Sequence, residues 1–150
     1  MRRFSARIGP LGLLSVLLLG SCAIPRWPVE GAVLSPYGLR FRGLDPDFHE
    51  GVDIDAPAGT PVHAMKPGIV ARAGRFSGLG LGVYLDHGGG LVTVYGHLSA
   101  LDVARGDTVA HREVIGRVGQ TGNATSPHLH FEVLRNGRAV DPVPLLGGRP

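Results

Sequence analysis

The sequence predicts an all-β protein, built as a single compact domain around an antiparallel β-sheet. Three observations carry that expectation. Short runs rich in β-branched residues recur along the chain, each bounded by Gly, Pro, Asn or Asp. No amphipathic helical pattern follows the N-terminal leader. The 24 Gly and 12 Pro make the chain turn-rich, while a hydrophobic content of 43% is too high for disorder and sufficient for a core.

The leader comes first. Arg2, Arg3 and Arg7 precede an apolar stretch from Leu11 to Leu19, the charged and apolar regions of a secretory signal. That stretch is too short to span a bilayer comfortably. The expected strands then run in order: Val52 to Ile54, Gly68 to Ala71, Gly82 to Leu85, Leu91 to Tyr95, and His130 to Leu134. Between the second and third lies Ser77-Gly78-Leu79-Gly80-Leu81-Gly82, which leads into a strand. A nucleotide-binding glycine loop needs a following helix, so this segment reads as a mobile loop.

Chemistry concentrates in three places. In His128-Leu129-His130-Phe131-Glu132, strict alternation sets two imidazoles and a carboxylate on one strand face, with Leu129 and Phe131 on the other. Imidazoles at i and i+2 stand about 6.5 to 7 Å apart at the backbone, close enough for both to reach one small metal-sized volume. His49-Glu50-Gly51-Val52-Asp53 offers a nitrogen and an oxygen donor of the kind zinc accepts. Its spacing resembles a helical His-Glu-x-x-His motif, but Gly51 and the β-branched Val52 and Ile54 favour a turn running into a strand. Glu50 is then a solvated side chain. Asp53 and Asp55 share an orientation along an ideal strand, so alternation does not choose between them. The third place is Tyr95-Gly96-His97, closing the apolar run Leu91-Val92-Thr93-Val94; His97 is a candidate for proton transfer near the metal.

These segments, with Ser35-Pro36-Tyr37-Gly38-Leu39-Arg40, Ala56-Pro57-Ala58-Gly59-Thr60-Pro61-Val62, Asp86-His87-Gly88-Gly89-Gly90, Ile115-Gly116 and Gly119-x-Thr121-Gly122, resemble the lysostaphin-type (LytM-type) zinc endopeptidases. Those enzymes cut peptide bonds in bacterial peptidoglycan. The resemblance runs from about Gly31 to Pro142. It implies a duplicated hybrid β-sheet motif, Zn2+ held by His49, Asp53 and His130, and His97 and His128 flanking the reacting water. It also selects Asp53 over Asp55. Non-catalytic relatives lose one or more of these five groups, and all five stand here, which points to an active enzyme over a silent peptidoglycan-binding or amidase-activating module. The departure is His111-Arg112-Glu113, where the family more often has a Gly-containing turn. His63, His87 and His111 match no catalytic position and read as structural, with His87 bonding the backbone of its glycine turn.

Leu19-Gly20-Ser21-Cys22 resembles a bacterial lipobox, at which cleavage leaves Cys22 as a lipid-modified N-terminus. The chain's only cysteine falls there, and a disulfide framework is excluded. The expected organisation is a signal peptide over 1–21, a lipidated cysteine and short linker over 22–30, the peptidase domain over 31–142 and a tail over 143–150. The expected location is the cell envelope, on the periplasmic face of an outer membrane if there are two. Arg2, Arg3 and Arg7 account for the whole net charge of +3, so the part beyond the signal is balanced. Without a retained basic patch, no nucleic-acid partner is expected. The expected partners are peptidoglycan cross-links and the membrane, through the lipid.

Overall fold

The computed structural model describes residues 24–150; the expected signal peptide over 1–21 and the expected lipidation at Cys22 lie outside the described residues. The chain enters through β1 (Val33–Ser35), forms a two-stranded ribbon from β2 (Gly38–Arg42) and β3 (Asp45–His49), and returns as β4 (Val52–Asp55) beside β1. After β5 (Pro61–His63), the long strands β6 (Gly68–Phe76), β7 (Gly80–Asp86) and β8 (Leu91–Leu101) make an antiparallel meander. Then follow β9 (Thr108–Val109), β10 (Val114–Val118), β11 (His128–Arg135), β12 (Arg138–Val140) and the one-turn helix α1 (Pro142–Leu145). The main sheet runs β1-β4-β11-β8-β7-β6-β9, with β10 joining β8 to β5 and β12 on β11. The fold is all-β and antiparallel, as the sequence predicts.

Every expected strand is present, and several are longer than their apolar runs. Strand β6 continues from Ala71 through the poor strand formers Arg72 to Gly74 and on to Phe76 because β7 pairs with it throughout. Arg72 lies over the rings of Phe76 and Tyr84 at 4.7 and 5.0 Å, covering that end of the ribbon. The segment Ser77 to Gly82, expected to be mobile, is pinned instead. Leu79 O accepts from His97 N at 2.8 Å, Gly78 O accepts from Asn123 N at 2.8 Å, and Leu81 N donates to Thr121 Oγ1 at 2.9 Å.

One core lies beneath the sheet. Leu129 and Phe131 of β11 meet Val52 and Ile54 of β4 and Tyr95 and Leu98 of β8, all fully buried. The packing reaches past both ends of residues 31–142. Val29 is buried in the core, Trp27 meets Phe131 edge-on at 6.2 Å, and Trp27 Nε1 donates to Gly148 O. Helix α1 was not expected: Pro142 occupies its first turn, Asp141 accepts from Val143 N at 3.0 Å, and Leu145 and Leu146 pack on the core.

Candidate metal centre and active site

Strand register assembles the site. In the β4–β11 pair, His130 lies opposite Asp53, and in the β11–β8 pair it lies opposite Gly96. His49 ends β3, where the ribbon turns through Glu50 and Gly51 into β4. Gly51 is required at that corner, since a Cβ would stand 2.4 Å from Phe131 O. Glu50 is exposed, as a solvated side chain would be, and Asp55 is exposed at the end of β4.

His97 reaches the cleft by a different route. Tyr95 and Leu98 both point into the core, although plain alternation would put 95 and 97 together. The β7–β8 register passes from Leu81↔Leu98 to Val83↔Tyr95, so β8 holds one extra residue there, a β-bulge. His97 takes the left-handed φ of 61°, rare outside glycine and asparagine, which turns its ring out of the core toward the imidazoles of β11. Its ring centroid lies 4.8 Å from that of His128 and 5.6 Å from that of His130.

Three donor atoms converge. Asp53 Oδ1 lies 2.8 Å from His130 Nδ1 and 3.2 Å from His49 Nε2, and those two nitrogens are 3.2 Å apart. Donors around a tetrahedral zinc, at about 2.0–2.1 Å from the ion, stand about 3.3 Å from one another, so the cluster has the right size. The far atom of each imidazole fixes its tautomer. His49 Nδ1 faces Pro36 O at 2.9 Å, and a carbonyl only accepts, so Nδ1 carries the proton and Nε2 presents a lone pair. His130 Nε2 faces Glu132 Oε1 at 2.9 Å and donates to it, leaving Nδ1 aimed at the cluster. Carboxylate and lone pairs converging on one volume repel unless a cation lies among them. Burial opposes charge on His130, yet hydrogen bonds to Asp53 and Glu132 raise its pKa to about 9. Burial likewise opposes charge on Asp53, but its interactions with His130 and then His49 prevail and hold its carboxyl far below the usual range. The set His49, Asp53 and His130 could hold a metal ion.

His128 and His97 stand beside this cluster. Each gives its Nδ1 proton to a carbonyl at 2.8 Å, that of Ser126 and of Thr121 respectively, so each presents an Nε2 lone pair. His128 Nε2 is 3.7 Å from Asp53 Oδ1, outside hydrogen-bond distance. Burial, then the neighbouring His128 and His130, pushes the His97 pKa down and keeps the ring neutral. The structure thus brings together all five residues singled out from sequence. Around them opens a cleft of about 540 Å³, walled by Ser77, Gly78 and Leu79 on one side and by Tyr84, Asn123 and Thr125 elsewhere.

Glu132, which alternation along β11 sets beside the imidazoles, stands against His130 as a carboxylate that could tune a neighbouring histidine. Arg40, on the ribbon, carried no role from sequence; it reaches Asp53 Oδ2 at 3.5 Å, and only the fold reveals it. The remaining histidines lie elsewhere: His63 Nδ1 bonds Arg112 O, and His87 Nδ1 bonds Pro67 O. Among the described residues, none hydrogen-bonds the buried Nε2 of His111. In the turn where the family more often has glycine, Arg112 itself takes a left-handed φ of 66° and ties the turn to Trp27 O through Nη1.

The model of peptidase family M23 matches residues 47–142, spanning β3 to the start of α1 and every residue of the cluster. The chain belongs to peptidase family M23. Within it, the chain is 44% identical over 113 residues to the DD-carboxypeptidase/endopeptidase Mpg of Neisseria meningitidis, covering 74% of this chain and 26% of that protein. The M23 unit described here is thus about a quarter of that relative's length. Among solved structures, a zinc-containing peptidase from Vibrio cholerae superposes with a TM-score of 0.75 at 31% identity, over 83% of this chain and 39% of that one. The catalytic domain of lysostaphin from Staphylococcus simulans superposes with a TM-score of 0.66 at 37% identity, over 79% and 91%. This M23 fold is therefore the lysostaphin-type fold that the sequence resembles.

Proposed function

We propose that this M23 protein is a zinc-dependent endopeptidase that hydrolyses peptide cross-links of bacterial peptidoglycan. The observation that carries the reading is the convergence of His49 Nε2, Asp53 Oδ1 and His130 Nδ1, with the far nitrogens of both imidazoles already committed to Pro36 O and Glu132 Oε1. Such a set suits zinc, and three protein ligands leave a fourth position open. Bound there, zinc would supply Lewis acidity, activating water at neutral pH and polarising the scissile carbonyl. The names of the Neisseria and Vibrio relatives support both the reaction and the metal.

The chain's own residues do the rest. His97 and His128 flank the cluster with Nε2 lone pairs facing the cleft, so either accepts a proton from the attacking water and, once charged, donates to the developing oxyanion or returns the proton to the leaving amine. The carbonyls of Thr121 and Ser126 hold the two rings in the required tautomer. Glu132 orients His130 and raises its basicity as a ligand.

Variants separate holding the metal from chemistry. His49→Ala, Asp53→Ala and His130→Ala are expected to lose zinc and activity together, since affinity follows ligand number and geometry. His97→Ala and His128→Ala are expected to keep about one zinc per chain while activity falls roughly 10²- to 10⁴-fold. Metal analysis paired with a muropeptide cleavage assay reads both. Zinc loss in His128→Ala with retention in His130→Ala would reverse the two roles. Undiminished cleavage in all five variants would remove the enzyme from this site.

The proposal extends to place: a lipid on Cys22 tethers the domain to the envelope membrane. From Cys22 to Val33 an extended chain reaches at most about 36 to 40 Å. Val29 already lies in the core, so the free tether is shorter still. An alkyne fatty acid is expected to label the wild type and spare Cys22→Ser; equal labelling of both would refute the anchor.

A further inference from the structure

The β2–β3 ribbon does more than deliver His49. Directly opposed residues of an antiparallel pair share a face, so Gly38 with His49 and Arg40 with Asp47 lie on the same side, while Leu39 with Phe48 and Phe41 with Pro46 lie on the other. The side with His49 meets the metal cluster. From it Arg40 makes three contacts: Nε donates to Asp47 Oδ2 at 2.8 Å, Nη1 donates to Ser35 Oγ at 3.0 Å, and Nη1 lies 3.5 Å from Asp53 Oδ2. Ser35 Oγ in turn stands 3.3 Å from His49 Nδ1. One guanidinium thus backs two of the three candidate ligands, Asp53 directly and His49 through a hydroxyl.

The two oxygens of Asp53 have divided environments. Oδ1 faces His49, His130 and, further off, His128, whereas Oδ2 faces Arg40. A carboxylate binds a metal through one oxygen or both. If Oδ2 turned inward, it would take a coordination position that substrate and water need, because a hydrolytic zinc site keeps one position open. We infer that Arg40 is a positioning residue that holds Asp53 Oδ2 away from the metal, keeping Asp53 a single-oxygen ligand and the fourth position open. The planar fork matters here. It fixes Asp47, Ser35 and Asp53 at once, which a lysine ammonium on a flexible stem does not reproduce. Asp47 locks the guanidinium from the neighbouring strand, so the seating of the ribbon and the mode of ligation are set together.

This inference rests on the metal reading of the cluster, and its test reads the metal without needing cleavage. The mature protein is loaded with cobalt(II), whose visible absorption is strong in four-coordinate sites and weak in five- or six-coordinate ones. Arg40→Ala is expected to bind one cobalt with weakened visible bands and to differ about 10- to 100-fold from wild type in chelator competition with zinc. Arg40→Lys is expected to fall between the two, and it stands in if the alanine variant does not fold. Where cross-links are cut, kcat is expected to fall with KM nearly unchanged. A wild-type cobalt spectrum and wild-type zinc affinity in both variants would overturn the positioning role, as would a loss confined to KM, which would make Arg40 a substrate contact. If the wild type takes up neither cobalt nor zinc, the metal reading itself fails. If it takes up metal but cuts nothing, the spectra still decide the role of Arg40.

Discussion

At the scale of single residues, hydrogen-bond direction does as much as distance. His49, His97, His128 and His130 each commit one ring nitrogen to an oxygen outside the cluster, and that commitment decides what the other nitrogen offers. The same logic applies to His87, remote from the metal. Its Nδ1 bonds Pro67 O at 2.7 Å, and its Nε2 lies 2.8 Å from Thr93 Oγ1; that hydroxyl is 2.9 Å from the Tyr95 hydroxyl, which accepts from Met65 N at 3.0 Å. With a carbonyl at one end and an N–H at the other, the hydroxyl protons run in one order: Tyr95 donates to Thr93, and Thr93 to a neutral His87. A charged His87 would reverse Thr93 and leave the buried Tyr95 proton without an acceptor. Burial, followed by Lys66, already holds the His87 pKa below 6.5 against the Pro67 carbonyl and Asp86. A histidine with a depressed folded pKa contributes stability that is complete above 6.5 and is lost as pH falls through the folded value. Urea unfolding of wild type and His87→Gln from pH 7.5 down to pH 5 is therefore expected to show a steeper acid-side loss in the wild type. An NMR titration of His87 at or above 6.5 would contradict the relay.

At the scale of elements, some of the site was legible and some was not, for physical reasons. Strand β11 was plain from its alternation: Leu129 and Phe131 are fully buried, and His128 and His130 face the cleft. The turn into β4 was legible from Gly51, whose missing Cβ allows close approach to Phe131 O. His97 was found as a residue, but its bulge was not, since a left-handed φ on histidine leaves no mark in a one-dimensional pattern. Alternation alone left Asp53 and Asp55 open and only the family resemblance chose Asp53; the register that sets Asp53 opposite His130 comes from pairing with a strand far along the chain. Arg40 was out of reach for the same reason. Glycine-rich composition around Ser77 suggested mobility, yet hydrogen bonds to Thr121 and Asn123 fix the loop as a cleft wall.

At the scale of the whole molecule, ribbon, bulge and sheet meet at the cleft beside one packed core. The core also gathers the flanking segments, with Trp27 and Val29 before the sheet and Leu145 and Leu146 after it. Tethering through Cys22 would hold this packed unit close to the membrane, and its action would fall on the peptidoglycan within that reach. Among the groups lining the cleft, every candidate ligand and proton carrier is present. We propose that hydrolysis takes place at the His49, Asp53 and His130 cluster. Mass spectrometry of defined cross-linked muropeptides digested with the purified mature protein tests it most directly. The expected result is two products whose masses sum to the substrate plus one water, abolished by a chelator and restored by zinc. Intact cross-links at one zinc per chain, under conditions where a known M23 hydrolase cleaves them, would contradict it.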